Sequence, residues 1–499
     1  MLTALLAVFS GALIRSMLHQ PVPEGRSCLG VKILTEEEMS QLQQGVPRDY
    51  SENIMYQGEF APVDQKTSVI YISQNITPET RAEALLGSLS VDSPGKTLRF
   101  APDKYWDDLS SAAAAGHTFK LLVTDRKNEY TQYDVVFTTL PVITMYGEIL
   151  YKDGEMRNVY SGQFRLWDPS GTDSAGPNLI SSRVHWHVRG KTAGGQDKKP
   201  WKLSLKNMDS KNNSENLLNL GSDDDWILNA MNMEDSNVRE KLFMDLWNEM
   251  TAQTDYNYPM SRGEYVEVLV DGEYSGLYLL QRRVDDRYLE LDRNDVLVKG
   301  QWDGVQLSCE FVSAAKGDEV QNQLISAYFY RDMFQTLDVH NFTDVNLFMQ
   351  FFCAADNQSY KNMYYLFGGQ EDGYPVKLIP WDTDMTFGIE WVPETDGFAY
   401  NYNGNLTKTV QRREMDSMMQ LHPDLRETMN ARWKELRQDI LSEDHIFQKI
   451  QEYVSCLNKS GAVSRDEEVW GLYHGGEDSL KNLYSFIEER LEFLDGYYI

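Results

Sequence analysis

The stretch that most narrows the fold of this chain is Cys353–Gly388, CAADNQSYKNMYYLFGGQEDGYPVKLIPWDTDMTFG. The apolar run Val345–Phe352 just before it predicts the buried end of a helix. Met363–Phe367 is rich in aromatic residues and predicts a strand. Gly368-Gly369 and Asp372-Gly373 are turn signals. A second strand is predicted over Pro375–Ile379, running into Pro380-Trp381-Asp382-Thr383-Asp384. A hairpin therefore links two polar clusters: Asp356, Asn357 and Asn362 on one side, Asp382 and Asp384 on the other. Paired strands lie about 5 Å apart, so the two clusters are expected to meet at one end of the hairpin.

Such a meeting has chemical content. Magnesium takes hard oxygen ligands, commonly one or two carboxylates completed by water and substrate phosphates. Phosphoryl transfer needs those ligands and one further carboxylate to orient the attacking hydroxyl. Protein kinases order them as an Asp, an Asn five residues on, and a hairpin leading to a metal-binding Asp. Here Asp356 stands six residues before Asn362, and a hairpin leads to Asp382. Asp and Asn at hairpin ends more often serve as turn and cap residues. The apolar frame, Leu378–Trp381 before and Met385–Gly388 after, argues for the chemical reading, because ionised Asp in such surroundings is normally paired or metal-bound.

Pro380–Gly388, PWDTDMTFG, resembles the PWDxDxxFG signature of the spore-coat protein H (CotH) kinase family, and Asp356–Phe367 resembles that family's segment of an Asp followed by KN-x-Y-x-Y/F. Upstream pieces extend the likeness. Arg189-Gly190 through Lys198-Lys199-Pro200-Trp201-Lys202-Leu203 resembles RG-x-x-S-x-x-x-x-KK-x-Y-K-L, with Thr192-Ala193 and Trp201 as departures. Ser236 and Arg239 match D-x-S-x-x-R-x-x-L, with Glu234 in place of its first Asp. Val270-Asp271-Gly272-Glu273-Tyr274-Ser275-Gly276-Leu277-Tyr278 resembles V-N-G-x-Y-x-G-x-Y. Gln281 stands where the family commonly has Glu, which puts any nucleotide role of that position in doubt.

The resemblance implies an α+β fold: a bilobal protein-kinase-like domain over residues 141–499. It implies ATP and Mg2+ (or Mn2+) as cofactors and a Ser or Thr hydroxyl as acceptor. By the same likeness, Asp356 orients or deprotonates the acceptor. Asn362 and Asp382 hold metal, with Asp384 as second ligand or support. Lys199 or Lys202 contacts phosphates, with Arg189 at the same glycine-rich turn. Glu240, on the helix predicted over Val238–Met250, is a candidate partner for the strand lysine, although its expected place is the solvated surface.

The bulk properties agree with this reading. A chain of 499 residues exceeds one typical domain. A net charge of −29 argues against a nucleic-acid binder, and it would attract a basic protein substrate, which the acceptor hydroxyl implied by the resemblance makes Ser-rich. Four scattered cysteines, Cys28, Cys309, Cys353 and Cys456, form no CxxC pair, so free buried thiols are expected rather than structural zinc. Residues 2–14 form an apolar run shorter than a membrane span. They read as a signal peptide or anchor remnant within residues 1–30 and point to an exported or surface location.

Residues 31–140 predict a β-rich module of immunoglobulin-like kind, with strands over Ser68–Ile72, Lys96–Phe100, Thr118–Val123 and Tyr130–Phe137 and a turn at Ala112–Gly116. Further on, Asp271-Gly272 marks the strongest hairpin of the chain, expected at a sheet edge. A cap is expected at Asn341–Asp344, and residues 391–408 read as a polar aromatic loop. Two other functions compete with catalysis. One is a non-catalytic surface adhesion protein that keeps the fold. The other is a carbohydrate- or calcium-binding protein using the acidic run Asp223-Asp224-Asp225, which lacks the ligand spacing of a calcium loop.

Overall fold

A computed structural model describes residues 27–28, 30–48, 51–127, 129–153, 157–171, 178–190, 192–232, 234–256, 258–292, 295–300, 307–312, 337–354, 356–357, 362–368, 376–389, 412–471 and 476–499. The apolar run 2–14 and the loop 391–408 lie outside the described residues. Strands and helices are mixed along the chain, as an α+β class requires. Among the described residues no helix is long and apolar enough to cross a membrane. The chain divides into two compact units, residues 1–224 with 265–278 and 455–471, and residues 225–264 with 279–454 and 472–499.

The first unit opens on a mixed sheet. Its strands run in the order Ser27–Cys28, Val31–Ile33, Thr97–Phe100, Thr118–Thr124, Glu129–Thr138, Val69–Ser73, Val63–Asp64. The alternation of Thr118–Thr124 and Glu129–Thr138 makes an antiparallel hairpin, whose turn is held by Asp125 accepting from the backbone of Lys127 and Glu129. Val69–Ser73 joins Glu129–Thr138 in parallel, and Val31–Ile33 joins Thr97–Phe100 in parallel. An immunoglobulin-like sandwich is built from antiparallel sheets, so these parallel pairs depart from that expectation while the β-rich character stands. The stretch read as a turn is partly a helix, Leu109–Ala114, begun by Asp108 accepting from the backbone of Ser111. Ala112 and Ala113 pack it onto the sheet beside Trp106, Phe119 and Phe137.

The same unit continues as an antiparallel meander, Val142–Asp153, Arg157–Asp168, Asn178–Val188 and Trp201–Lys206. Gly147 lies opposite Gly162. A Cβ on Gly162 would sit 1.8 Å from the Tyr146 carbonyl oxygen, so this crossing admits no side chain. On Asn178–Val188, Val184 and Trp186 are buried while His185 and His187 share the other, wetter face. Asp271-Gly272 makes the expected turn, both residues at positive φ (50° and 79°), as a two-residue hairpin of this twist demands. The strand before it is not an edge, because Gly263–Val270 also runs parallel to Val142–Asp153.

Two ion pairs close this unit from the far end of the sequence. Lys198 is 2% exposed, and its ammonium meets Asp466 at 2.7 Å and the Leu277 carbonyl at 2.5 Å. Asp466 also accepts from the Leu277 backbone at 2.8 Å. Gly276 makes room, since a Cβ there would lie 2.0 Å from the Asp466 carboxylate. Beside it, Arg465 grips both oxygens of buried Glu267 at 2.9 and 2.8 Å, and the Tyr274 hydroxyl donates to Glu267 at 2.6 Å.

The second unit is organised on the Val339–Phe352 helix, in which every residue from Asn341 to Phe352 is buried. Apolar on nearly all sides, it can only be central. Its cap is Asp338, whose carboxylate accepts from the backbone of His340 and Asn341, three residues ahead of the expected cap. Asn341 instead turns inward and bonds both the carbonyl and the amide of Leu378. A sheet ordered Leu307–Val312, Val296–Gly300, Met363–Phe367, Val376–Pro380 lies beside the helix. The Gly476–Tyr498 helix fastens the helix's C-terminal end: buried Arg490 donates to the Gln350 carbonyl at 3.0 and 2.6 Å.

Among the described residues three cysteines are in no disulfide: buried Cys353, half-buried Cys309 and Cys456, which is exposed against expectation on the Glu443–Ser460 helix. The acidic run at 223–225 is built into the fold, with Asp223 and Asp224 buried and Asp225 paired to Arg283 at 3.1 Å.

Candidate functional site

The hairpin predicted around the two polar clusters is present. Met363–Phe367 pairs antiparallel with Val376–Pro380, Met363 facing Pro380. The register continues one step further, where the Trp381 amide donates to the Asn362 carbonyl at 3.3 Å. Asn357 ties the clusters together, its side-chain amide donating to the carbonyls of Asn362 (3.0 Å) and Trp381 (2.9 Å). The Asn362 amide donates to the Asp356 carboxylate at 2.9 Å. Asp356, Asn357, Asn362 and Asp382 thus stand at one end of one hairpin.

The backbone here is bent unusually. Cys353, Asn362, Asp382 and Phe387 all have positive φ, between 47° and 57°. Asn and Asp visit this region at little cost, whereas Cys and Phe do so only where surroundings enforce it. The enforcement is visible: the Phe387 amide donates to the Phe352 carbonyl at 2.7 Å, and the Phe387 ring packs on Phe351 and Phe352. Helix end and post-hairpin loop are therefore clamped to each other on either side of the acidic residues.

Electrostatics mark the same place. Asp384 keeps some accessible surface as a residue, but its carboxyl group is enclosed by protein. That enclosure pushes its pKa well above the usual carboxylate range. Repulsion from Asp382, Glu240, Asp356 and Glu234 adds to the rise. Four carboxylates of the same unit thus act on Asp384. Among the described residues no three His, Cys, Asp or Glu side chains are close enough together to hold a metal as they stand. A kinase-type magnesium site needs only one or two protein carboxylates, and mutually repelling carboxylates spread when no cation lies between them. The donor set fits a hard divalent cation. All the groups offer oxygen, and Asn357, 2% exposed, carries a side-chain oxygen with no donor among the described residues.

A raised folded-state pKa has a fixed sign. The stability Asp384 contributes is fully present below its unfolded pKa and is lost as pH rises through the higher folded value. The metal-free chain should melt at lower temperature as pH is taken from 5 to 8, and Asp384→Asn should flatten that slope. Melting curves across this range check it. An unchanged slope in the variant would remove Asp384 as the source.

Two neighbours were not expected. Glu240, placed on the surface by sequence reasoning, is 5% exposed. It accepts from the side-chain amide of Gln281 at 2.8 Å and from that of Asn229. Lys299 sits 3.5 Å from the ring centre of Trp381 and 5.5 Å from that of Tyr364. The signal was available: Val296–Gly300, VLVKG, carries one charge in an otherwise apolar strand. Glu234, by contrast, behaves as a capping residue. Its carboxylate accepts from the backbone of Val238 (2.6 Å) and Arg239 (2.7 Å) at the start of the Arg239–Thr251 helix. Burial raises its pKa against the pull of Arg239.

The basic candidates lie in the first unit. Lys199 turns back on its own loop, donating to the carbonyls of Gly194 (3.2 Å) and Gln196. Lys202 and Arg189 are half-buried on or beside the Trp201–Lys206 and Asn178–Val188 strands. The buried lysine of this segment is Lys198, not the two that sequence reasoning chose.

The sequence profile described as CotH kinase protein matches residues 186–494, more than half of the chain and all of the site just described. No curated protein matches the chain.

Proposed function

The chain belongs to the CotH kinase protein family, and from that premise we propose that it is an atypical Ser/Thr protein kinase acting on an exported or surface protein. The observation that carries this reading is the convergence of Asp356, Asn362, Asp382 and Asp384 at one end of the Met363–Pro380 hairpin. In this proposal Asp356 accepts the proton of the acceptor hydroxyl and orients its oxygen toward the γ-phosphoryl group. Asn362 steers Asp356 through its amide nitrogen, which leaves its amide oxygen for a cation. Asp382 supplies the principal carboxylate to that cation, and Asp384 supports it. Magnesium or manganese bound there would neutralise charge on the transferred group. Lys199 or Lys202, with Arg189, would bind the nucleotide phosphates. Catalysis would consist mainly of positioning and charge neutralisation.

The net negative charge favours a basic protein substrate, and a Ser or Thr acceptor favours a Ser-rich one. Labelled ATP with Mg2+ or Mn2+ and a basic Ser-rich peptide pool should give phosphoserine. Asp356→Asn, which keeps the side chain's shape and its contact with Asn362, should cut the rate by about 10²–10⁴-fold, the usual worth of a positioned base. No incorporation by the wild-type chain on any peptide would favour the adhesion reading. A rate within threefold of wild type for Asp356→Asn would contradict the role given to Asp356.

A further inference from the structure

The Val296–Gly300 strand runs antiparallel to Met363–Phe367 and sets Lys299 opposite Tyr364. Tyr364 in turn faces Ile379 on the Val376–Pro380 strand. Side chains two residues apart share one face of a sheet, so Trp381, two residues beyond Ile379, becomes the diagonal neighbour of Tyr364. The side chains meet accordingly. The rings of Tyr364 and Trp381 lie 6.1 Å apart. The Lys299 ammonium reaches past the first to the second, 5.5 and 3.5 Å from their centres. Lys299 is the one charge on a strand whose other four residues are buried. All three side chains belong to the second unit.

Trp381 is the pivot from which the chain turns into the site. Its amide continues the hairpin register by donating to the Asn362 carbonyl, and its own carbonyl accepts from the Asn357 side chain. The next residue is Asp382, which leaves the strand at φ 57°. No hydrogen bond holds the indole, since its Nε1 is buried and finds no acceptor among the described residues. The setting of the ring therefore depends on packing and on the cation over its face. An ammonium within about 6 Å of an aromatic centre is drawn to the negative face of the ring, most strongly for Trp, and more so as water is excluded. We propose that Lys299 is a positioning residue for Asp382: its ammonium seats the Trp381 ring and so fixes the residue from which the chain turns to the cation ligand. This rests on the cation-binding reading of Asp382.

The test is Mn2+ binding to the full chain without nucleotide, by calorimetry, with Asp382→Asn as the reference. Removing a positive charge beside a cation site would by itself tighten Mn2+, whereas unseating Trp381 weakens it, so the sign separates the two roles. Lys299→Met should weaken Mn2+ by ~10-fold, the lower end of what supporting residues contribute. Lys299→Arg, which returns a cation to the ring, should recover affinity to within about threefold of wild type. Trp381→Leu should lose as much as Lys299→Met, and the double variant should lose no more than either single one. If Lys299→Met does not fold, Trp381→Phe decides against Trp381→Leu: the phenyl ring still offers the ammonium a face and should bind Mn2+ more tightly than the leucine variant. Equal affinity in that pair overturns the proposal. So does Lys299→Met within threefold of wild type or tighter, or losses that multiply in the double variant, while Asp382→Asn has lost binding; the cation site then stands without Lys299. Unchanged affinity in Asp382→Asn overturns the cation site itself, and the role of Lys299 with it.

Discussion

Asparagine in place of Asp382 is expected to lower phosphoryl transfer by about 10²–10³-fold, the scale on which a fixed charge-stabilising group acts in a closed site. The choice of replacement matters. Asp382 sits at φ 57°, where alanine would add ~1–2 kcal/mol of backbone strain. Asparagine tolerates that conformation and is nearly isosteric, so its effect isolates the lost charge. The same variant should lose most of the thermal stabilisation given by Mg2+ with ATP. It should also be at least as stable as wild type without metal, because one of the mutually repelling carboxylates has been neutralised. Rate assays and paired melts decide the matter. Transfer within tenfold of wild type, or an unchanged metal-induced shift, would sink the assignment.

Removing Arg465 should produce the largest loss of stability. Its guanidinium is buried against Glu267, which also accepts from Tyr274. Arg465→Met leaves an ionised carboxylate without its counter-charge in the interior, at a cost of about 3–5 kcal/mol. Against a typical total of about 5–15 kcal/mol, that brings the first unit close to unfolding at 37 °C. The denaturation midpoint in urea should fall accordingly. Pairing Arg465→Met with Glu267→Gln should recover much of the loss, since the orphaned charge is then gone. If the double variant is no better than the single one, the pair is not what carries the stability.

Much of the site could be read from residue order. The aromatic strand, the turn glycines and the polar residues flanking them specify a hairpin, and a hairpin by itself brings Asn362 to Trp381. The capping box at Thr35 and Glu38 is a signal of the same local kind. What escaped was charge satisfied from afar. Arg239, Glu240 and Lys241 are consecutive and all buried, so no amphipathic pattern distinguishes inside from outside there. Each has its own remote or capping partner: Arg239 has Asp235 and Ser236, Glu240 has Gln281, and Lys241 has the Gly263 carbonyl at 2.8 Å. Lys198 was passed over for the same reason, because its partner Asp466 lies 268 residues away. The Ala-rich helix was misread because six residues give too little periodicity to outweigh a following glycine.

The engagement of Lys198 and Glu267 by Asp466 and Arg465 also has a temporal consequence. Translation delivers residues at about 5–20 per second, so the opening half of the chain waits many seconds before its closing segment, residues 455–471, has even been made. During that interval Lys198 and Glu267 stand without their counterions. The early sheets must then persist as an incomplete intermediate, exposed to chaperones and proteases. A premature stop codon or a frameshift that spared residues 1–450 would therefore damage the amino-terminal half as surely as a lesion within it.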